Sequence, residues 1–486
     1  MANLSVLSLS HTTGVDVTED FELPEYQPEV RRIVGVQCST TRDHGFLVER
    51  SIEVSGCVLY TVVYLTTDGA LASLPLFSTW DARLPLSEGT SMAMDDLHLV
   101  CESENVVCRV TAPRKLTLSA RVKLSCLALG DADCTTGSGA ATDSTHTIYR
   151  SEDVPLVQMK TCQRTGTIQG ETGGGKVITC QGNVQITEVR PSPDTDGVVV
   201  DGEASVRFLV RGDSGAYVPV RSRMPIHETL PCKQATAMSS VTANGICAAL
   251  TVTEEDDRIR WEMEYDLEAI LCGETSAAIT TDGYCTTHAY TPHFRTVQAM
   301  TGGRCVRGQV TLTGQQSMAN VDGATELQFL YGWGKGRWEK AEVVGEKLLL
   351  TGSALCTVLL TGNGDVVTEE VTLPIRYEYD RHELDHLPMD ATNGLTCLMR
   401  FSIWDVCGHM EGDTLHIHAE AGCDGILLHG ADLVYLAALD ETTPLPPSKP
   451  SVTLYTPAPT ETLWDVQKRY HTTDVAEAGE RYVIRT

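Results

Sequence analysis

Basic side chains are scarce in this chain. Its 486 residues carry 37 Lys and Arg against 65 Asp and Glu, a formal net charge of −28, and no Lys/Arg cluster stands out. A phosphate backbone or an anionic membrane surface is repelled by such a field, which argues against nucleic acid as a partner. The same charge keeps a large protein in solution. Long apolar runs are missing too: nowhere do about 18 consecutive apolar residues occur, so no spanning helix is predicted. The opening MANLSVLSLSHTTGVDVTEDFEL has no basic start and no apolar stretch long enough for a secretory signal. CxxC pairs are absent although there are 17 cysteines, an odd number. Cys57, Cys126 and Cys356 stand inside apolar strand patterns, where a thiol serves as a small hydrophobe. The expectation is buried free thiols in a reducing, cytoplasmic compartment.

Sustained helical periodicity is equally hard to find. Leu116, Leu118, Ala120, Val122, Leu124 and Cys126 instead alternate with mostly polar residues, the two-residue repeat of a strand with one face buried. Similar runs recur between Gly, Asp and Asn turns. With 42% hydrophobic and 21% charged residues the composition is that of a globular protein, and the length exceeds one core.

The chain repeats itself at a period of about 146–150 residues. Ile52, Gly56, Tyr60, Asp68-Gly69 and Leu84-Pro85 align with Val198, Gly202, Val206, Ser214-Gly215 and Leu230-Pro231. A third copy runs through Leu348, Gly352, Val358 and Asn363-Gly364, its turn glycine slipped by one. Each copy reads as a hairpin. A further alternating strand follows, starting near Leu116, Ile259 and Leu415. The predicted division is an N-terminal tail over 1–19, β domains over 20–130, 150–274 and 290–435, linkers over 131–149 and 275–289, a Pro-rich linker over 436–450, and a small module over 451–486.

Leu23-Pro-Glu-Tyr-Gln-Pro-Glu-Val30, followed by Ile33 and Val36, resembles the entry to SPOCS domains. Thr281-Asp-Gly-Tyr-Cys-Thr286 is similar to the joint between copies in that family. Val452-Thr-Leu-Tyr455 and Glu461-Thr-Leu-Trp-Asp-Val-Gln-Lys-Arg-Tyr-His-Thr-Thr473 resemble the first strand and helix of a LysM domain. Glu461 stands where that family usually caps the helix with aspartate, and Asp474–Gly479 leads straight to a last strand, Arg481–Ile484, without a second helix. SPOCS copies followed by LysM are the layout of spore-coat morphogenetic proteins of the SipL type. The resemblance implies a mother-cell cytoplasmic protein at the forespore surface that tethers a SpoIVA-like ATPase, with the LysM-like part in the contact. The fold class expected is mainly all-β: three tandem β-sandwich-like repeat domains plus a small C-terminal α/β LysM-like module.

Within the tail, Leu463, Val466 and Tyr470 share one helical face, with Asp465, Lys468 and Arg469 largely opposite. So small a module buries little by itself, and it is expected to order on a partner or on the third domain. Leu463, Trp464, Lys468, Arg469 and Tyr470 are the candidate partner-binding residues.

Four strings imitate catalytic or metal motifs. His382-Glu-Leu-Asp-His386 matches HExxH, but it follows a strand and Pro388 closes it, so a loop is expected. Gly170-Glu-Thr-Gly-Gly-Gly-Lys176 lacks the Ser/Thr of a phosphate loop and runs into a strand, so a hairpin loop is expected. Gly212-Asp-Ser-Gly215 coincides with the turns of the other copies. His416 and His418 share one strand face, which more often means a half-exposed strand than a metal site. No constellation supports catalysis, and no cofactor or metal is expected. The expectation is a scaffold with protein partners; the alternative is a LysM-type peptidoglycan binder with β spacer domains.

Overall fold

The structure, a computed structural model of the chain, describes all residues except 1–2, 87–91, 135–136, 139–145, 193–195, 256–257, 322–325, 363–364, 381–383, 385–393, 447–449 and 486. It is built from strands, and among the described residues each copy has the same six. The first copy comprises β1 (Asn3–Glu22), β2 (Val30–Val48), β3 (Ser51–Thr66), β4 (Leu71–Pro85), β5 (Leu97–Ala112) and β6 (Lys115–Asp133). A short β7 (Gly137–Ser138) follows. The second has β8 (Thr147–Gly173), β9 (Lys176–Ser192), β10 (Gly197–Arg211), β11 (Tyr217–Pro231), β12 (Ser240–Glu255) and β13 (Arg258–Cys285). The third has β14 (His288–Ser317), β15 (Gln328–Val344), β16 (Lys347–Gly362), β17 (Asp365–Asp380), β18 (Leu395–Glu411) and β19 (Thr414–Pro444).

In every copy the second to fourth strands form an antiparallel meander, and the first pairs with the closing hairpin. The two layers face each other across one core. In the first copy Ile52, Val58, Tyr60 and Tyr64 of β3 meet Leu116, Leu118, Val122 and Leu124 of β6, as the two-residue period dictates. The fold is therefore mainly all-β, with repeated sheet domains. All 17 cysteines are free thiols, and none of the described helices is long and apolar enough to cross a membrane.

The glycine shared by the copies has a structural reason. The ladder slips by one residue opposite or beside Gly56, Gly202 and Gly352, a β-bulge at the same place each time. A Cβ on Gly352 would overlap the Arg337 carbonyl oxygen and the Phe401 ring. The Gly-Asp-Ser-Gly string is a hairpin turn: Gly215 has φ +81° and donates to the Gly212 carbonyl at 2.8 Å, as Gly69 with φ +83° does to Thr66 at 3.0 Å.

Several expected boundaries need correction. Residues 3–19, read as a tail, belong to β1, which pairs with β6 over its whole length. Residues 275–285, read as linker, are the end of β13 and pair with the start of β8. Within 131–149, residues 131–133 close β6, and β7 adds in parallel to β19. The 436–450 spacer is strand as far as Pro444, which pairs with His288. These stretches are rich in Ser, Thr and Gly, so their composition imitates a loop.

The copies are not beads on linkers. The last strand of each alternates and then becomes apolar on both faces, as at Ala269, Ile270, Leu271 and Cys272. One side fills its own sandwich; the other meets its counterparts. Leu127, Ile270 and Ile426, which lie opposite His98, Thr242 and Leu398, come together with Leu129, Cys272 and Leu428 in a cluster shared by all three copies. Val63, Leu209 and Leu359, the same position of each meander, meet in a second. The copies thus surround a common centre. Beside it, Glu268 of the second copy accepts from Arg42 of the first at 3.1 Å and lies 3.7 Å from Arg400 of the third. Burial raises the Glu268 pKa, but Arg42, His98 and Arg400 outweigh it and hold the carboxyl below its ordinary value.

Two further buried groups titrate in opposite directions. Burial pushes His98 down to about 4, against the opposing pull of Glu268, and pushes Asp424 up to about 6. Below its ordinary value of 6.5, unfolded His98 takes up a proton that the folded chain refuses until about pH 4, so this group lowers stability as pH falls. Asp424 raises stability as pH falls through about 6, because only the folded chain then binds the proton. Replacing His98 with Leu removes the first effect. The stability of His98→Leu relative to the parent should rise by about 2 kcal/mol between pH 7 and pH 5 in urea denaturation. A pH-independent difference would contradict the assignment. Gly352→Ala should lower stability by about 2 kcal/mol or more in the same assay, because the bulge cannot accommodate a methyl group.

Candidate functional site

The C-terminal module comprises β20 (Val452–Tyr455), α1 (Leu463–Tyr470), β21 (Val475–Ala478) and β22 (Arg481–Arg485), with β22 in the middle of a three-stranded sheet. Thr462, not Glu461, caps α1: its hydroxyl accepts from the Asp465 N–H at 3.4 Å, while Asp465 accepts from the Thr462 N–H at 2.8 Å. This reciprocal pair satisfies two of the free N–H groups of a two-turn helix. Left-handed His471, φ 50°, ends it. Val466 and Ile484 are the module's fully buried apolar residues.

Glu461 has a different task. Its carboxylate accepts from the Tyr455 hydroxyl at 2.8 Å and pairs with Arg469 at 2.7 Å. Arg469 also donates to the Tyr455 hydroxyl, and Tyr470 meets the Tyr455 ring edge-on at 5.7 Å. Arg469 and Tyr470 therefore brace α1 against β20.

Trp464 and Lys468 point elsewhere, into the repeat domains. The indole N–H of Trp464 donates to Asp282 at 2.8 Å, and the Lys468 ammonium donates to both oxygens of that carboxylate at 2.7 and 2.8 Å. Fully buried Tyr284 packs edge-on against Trp464 at 5.2 Å and donates to the Thr472 carbonyl at 3.3 Å. His471 Nδ1 donates to the Cys285 carbonyl at 2.8 Å, and its ring meets Tyr290 at 5.8 Å. The seat is thus the end of β13 with the start of β14. It spans the junction of copies two and three, where the expectation was ordering on a partner or on the third domain. Burial raises the pKa of Asp282, but hydrogen bonds from Lys468, Trp464 and the Gly283 N–H outweigh it and leave the carboxyl below its ordinary range.

Of the five candidate residues, the structure brings Trp464 and Lys468 together on Asp282 and Arg469 and Tyr470 together on Tyr455, while Leu463 is half-buried. All four polar or aromatic ones are engaged within the chain. What the module turns outward is its sheet. Val452 and Leu454 are 72% and 57% exposed, and register places Val483 and Ala476 on the same face as Leu454. The sequence does not reveal this face, because four-residue strands show too little alternation to read.

The other strings fall as follows. HExxH lies outside the described residues, Leu384 excepted. The glycine-rich Gly170–Lys176 stretch links β8 to β9, which belong to different sheets, so it is a crossover and not the hairpin expected. The Val177 N–H beside it already donates to the Glu254 carboxylate at 2.6 Å. His416 and His418 lie on the outer face of β19, beside His409 of β18. No protein-family model, curated protein or solved structure matches the chain.

Asp282 is the hinge of the docking. Its lowered pKa contributes stability that is complete above about pH 4 and lost as pH falls through the folded value. Asp282→Ala removes three charge-assisted or indole hydrogen bonds, and opening of the module should become about 10–100-fold more frequent. Faster hydrogen exchange over 463–470 and a red-shifted Trp464 emission, with the main unfolding midpoint unchanged, are the expected readings.

Proposed function

We propose that this chain is a non-catalytic scaffold of endospore-coat assembly that binds a SpoIVA-like coat ATPase through its C-terminal module, in the mother-cell cytoplasm at the forespore surface. The reading rests on the family resemblance of the sequence and is supported by one observation above all. The module is clamped at Asp282 with the apolar face of its sheet, Val452 and Leu454, turned to solvent. Isolated exposed apolar residues are ordinary, but two on one face of a held sheet form a contact surface. Strands β20 and β21 each pair only with β22 among the described residues, so a partner strand can also add at either edge. The contact residues of this proposal are accordingly Val452 and Leu454, with Leu463, Trp464, Lys468, Arg469 and Tyr470 holding the module in shape and place.

Removal of 451–486 should abolish pull-down of the ATPase, and the double substitution Val452→Asp, Leu454→Asp should weaken it at least 10-fold. Retained pull-down by both would refute the role of the module. Sedimentation with purified peptidoglycan tests the wall-binding alternative. Strong binding by the parent chain that the double substitution abolishes would replace the scaffold reading.

A further inference from the structure

The hairpin of β18 and β19 alternates strictly near its tip. Val406, Leu415, Ile417 and Ala419 point into the core of the third copy, so Cys407, His409 and Glu411 of β18 and His416 and His418 of β19 share the outer face. His409 and His416 are directly opposite each other in the ladder, with rings 5.0 Å apart and 12° from parallel. Glu411, two residues beyond His409, lies 3.3 Å from His416 Nε2. One donor atom from each of His409, Glu411 and His416 lies within 4.8 Å of the other two.

We propose that His409, Glu411 and His416 form a zinc-binding site at the tip of this hairpin. The donor set decides the class of ion. Two imidazoles and a carboxylate suit a borderline first-row divalent cation, whereas magnesium and calcium prefer all-oxygen surroundings. The spacing fits as well. Bonds of about 2.0–2.1 Å in a tetrahedron place neighbouring donors about 3.3 Å apart, the separation already present between Glu411 and His416. Rotation of the His409 and His416 rings about their terminal torsions, a soft motion, aims both at a common point. The strands fix the three Cα positions, so the entropy cost of assembling the site is confined to side chains. Water fills the fourth position, because the site faces solvent. His418, whose ring is 6.2 Å from His409, lies just behind it. The surplus of negative charge on the chain favours any cation that approaches. Bound zinc ties β18 to β19 across the turn at Gly412 and stabilises the hairpin by mass action.

Titration of the metal-free full-length protein with Zn²⁺ by calorimetry, under reducing conditions, tests the site. The parent chain should bind one equivalent with Kd below about 10 μM. The double variant His409→Gln, His416→Gln should lose that equivalent while its circular dichroism stays the same. His293→Gln, which alters an exposed histidine elsewhere in the same sheet, should keep it. Millimolar Mg²⁺ should not displace the ion. The site is refuted by the absence of a tight equivalent, by its survival in the double variant, by its loss in His293→Gln, or by displacement with Mg²⁺. None of these results depends on the scaffold reading.

Discussion

One carboxylate ties three copies of a repeat into a single body. Glu268 is nearly buried between Arg42 of the first copy and Arg400 of the third, and Gln163 of its own copy joins Arg42 as a second hydrogen-bond donor at 3.1 Å. A dehydrated carboxylate is tolerable only where such partners are in place, and they come from parts of the chain that must already have converged. The apolar centre around Leu127, Ile270 and Ile426 supplies the driving force for that convergence. Similar polar contacts line the other seams. Asp405 of the third copy pairs with Arg207 and Arg221 of the second at 2.7 and 2.8 Å, and Lys335 of the third donates to Ser103 of the first at 2.7 Å.

This arrangement explains which parts of the fold were legible in the sequence. The alternation of β3 or β6 is imposed by a sandwich with one wet face, and it reads directly as strand. The shared glycine marks a bulge, which needs a bare backbone at the same place in each copy. The assembly itself was hidden. Its signal is the passage from alternation to an unbroken apolar stretch, as in Ala269-Ile-Leu-Cys272, which says that a strand is covered on both sides but not by what. Strand β1 and the end of β13 read as tail and linker because exposed strand and loop draw on the same Ser, Thr and Gly. Only long-range pairing separates the two.

The module shows the same division. The helix and its inward Val466 follow from periodicity, whereas the cap was misplaced by one residue because Thr462 and Asp465 form a reciprocal pair that Glu461 cannot join. The seat could not be read, since Trp464 and Asp282 stand 182 residues apart. By its residues the Thr281–Thr286 string reads as a joint between domains. Its Asp282, Tyr284 and Cys285 turn out to hold the tail. A two-turn helix has faces enough for its own sheet and for one neighbour, so Trp464, Lys468, Arg469 and Tyr470 are engaged within the chain.

The central sheet runs in the order β18, β19, β14, β1, β6, β5, so β1 lies next to a strand of the third copy and touches it at Val6 and Ala299. The outer edge of β1 is therefore closed only once β14 of the third copy has been made. Until copies two and three are made, the nascent first copy must carry Val100, Leu127 and Leu129 uncovered. At roughly 5–20 residues per second that wait is on the order of tens of seconds, long enough for sticky intermediates to meet. The acidic surplus of the chain then acts before any native function does, as mutual repulsion between half-made molecules.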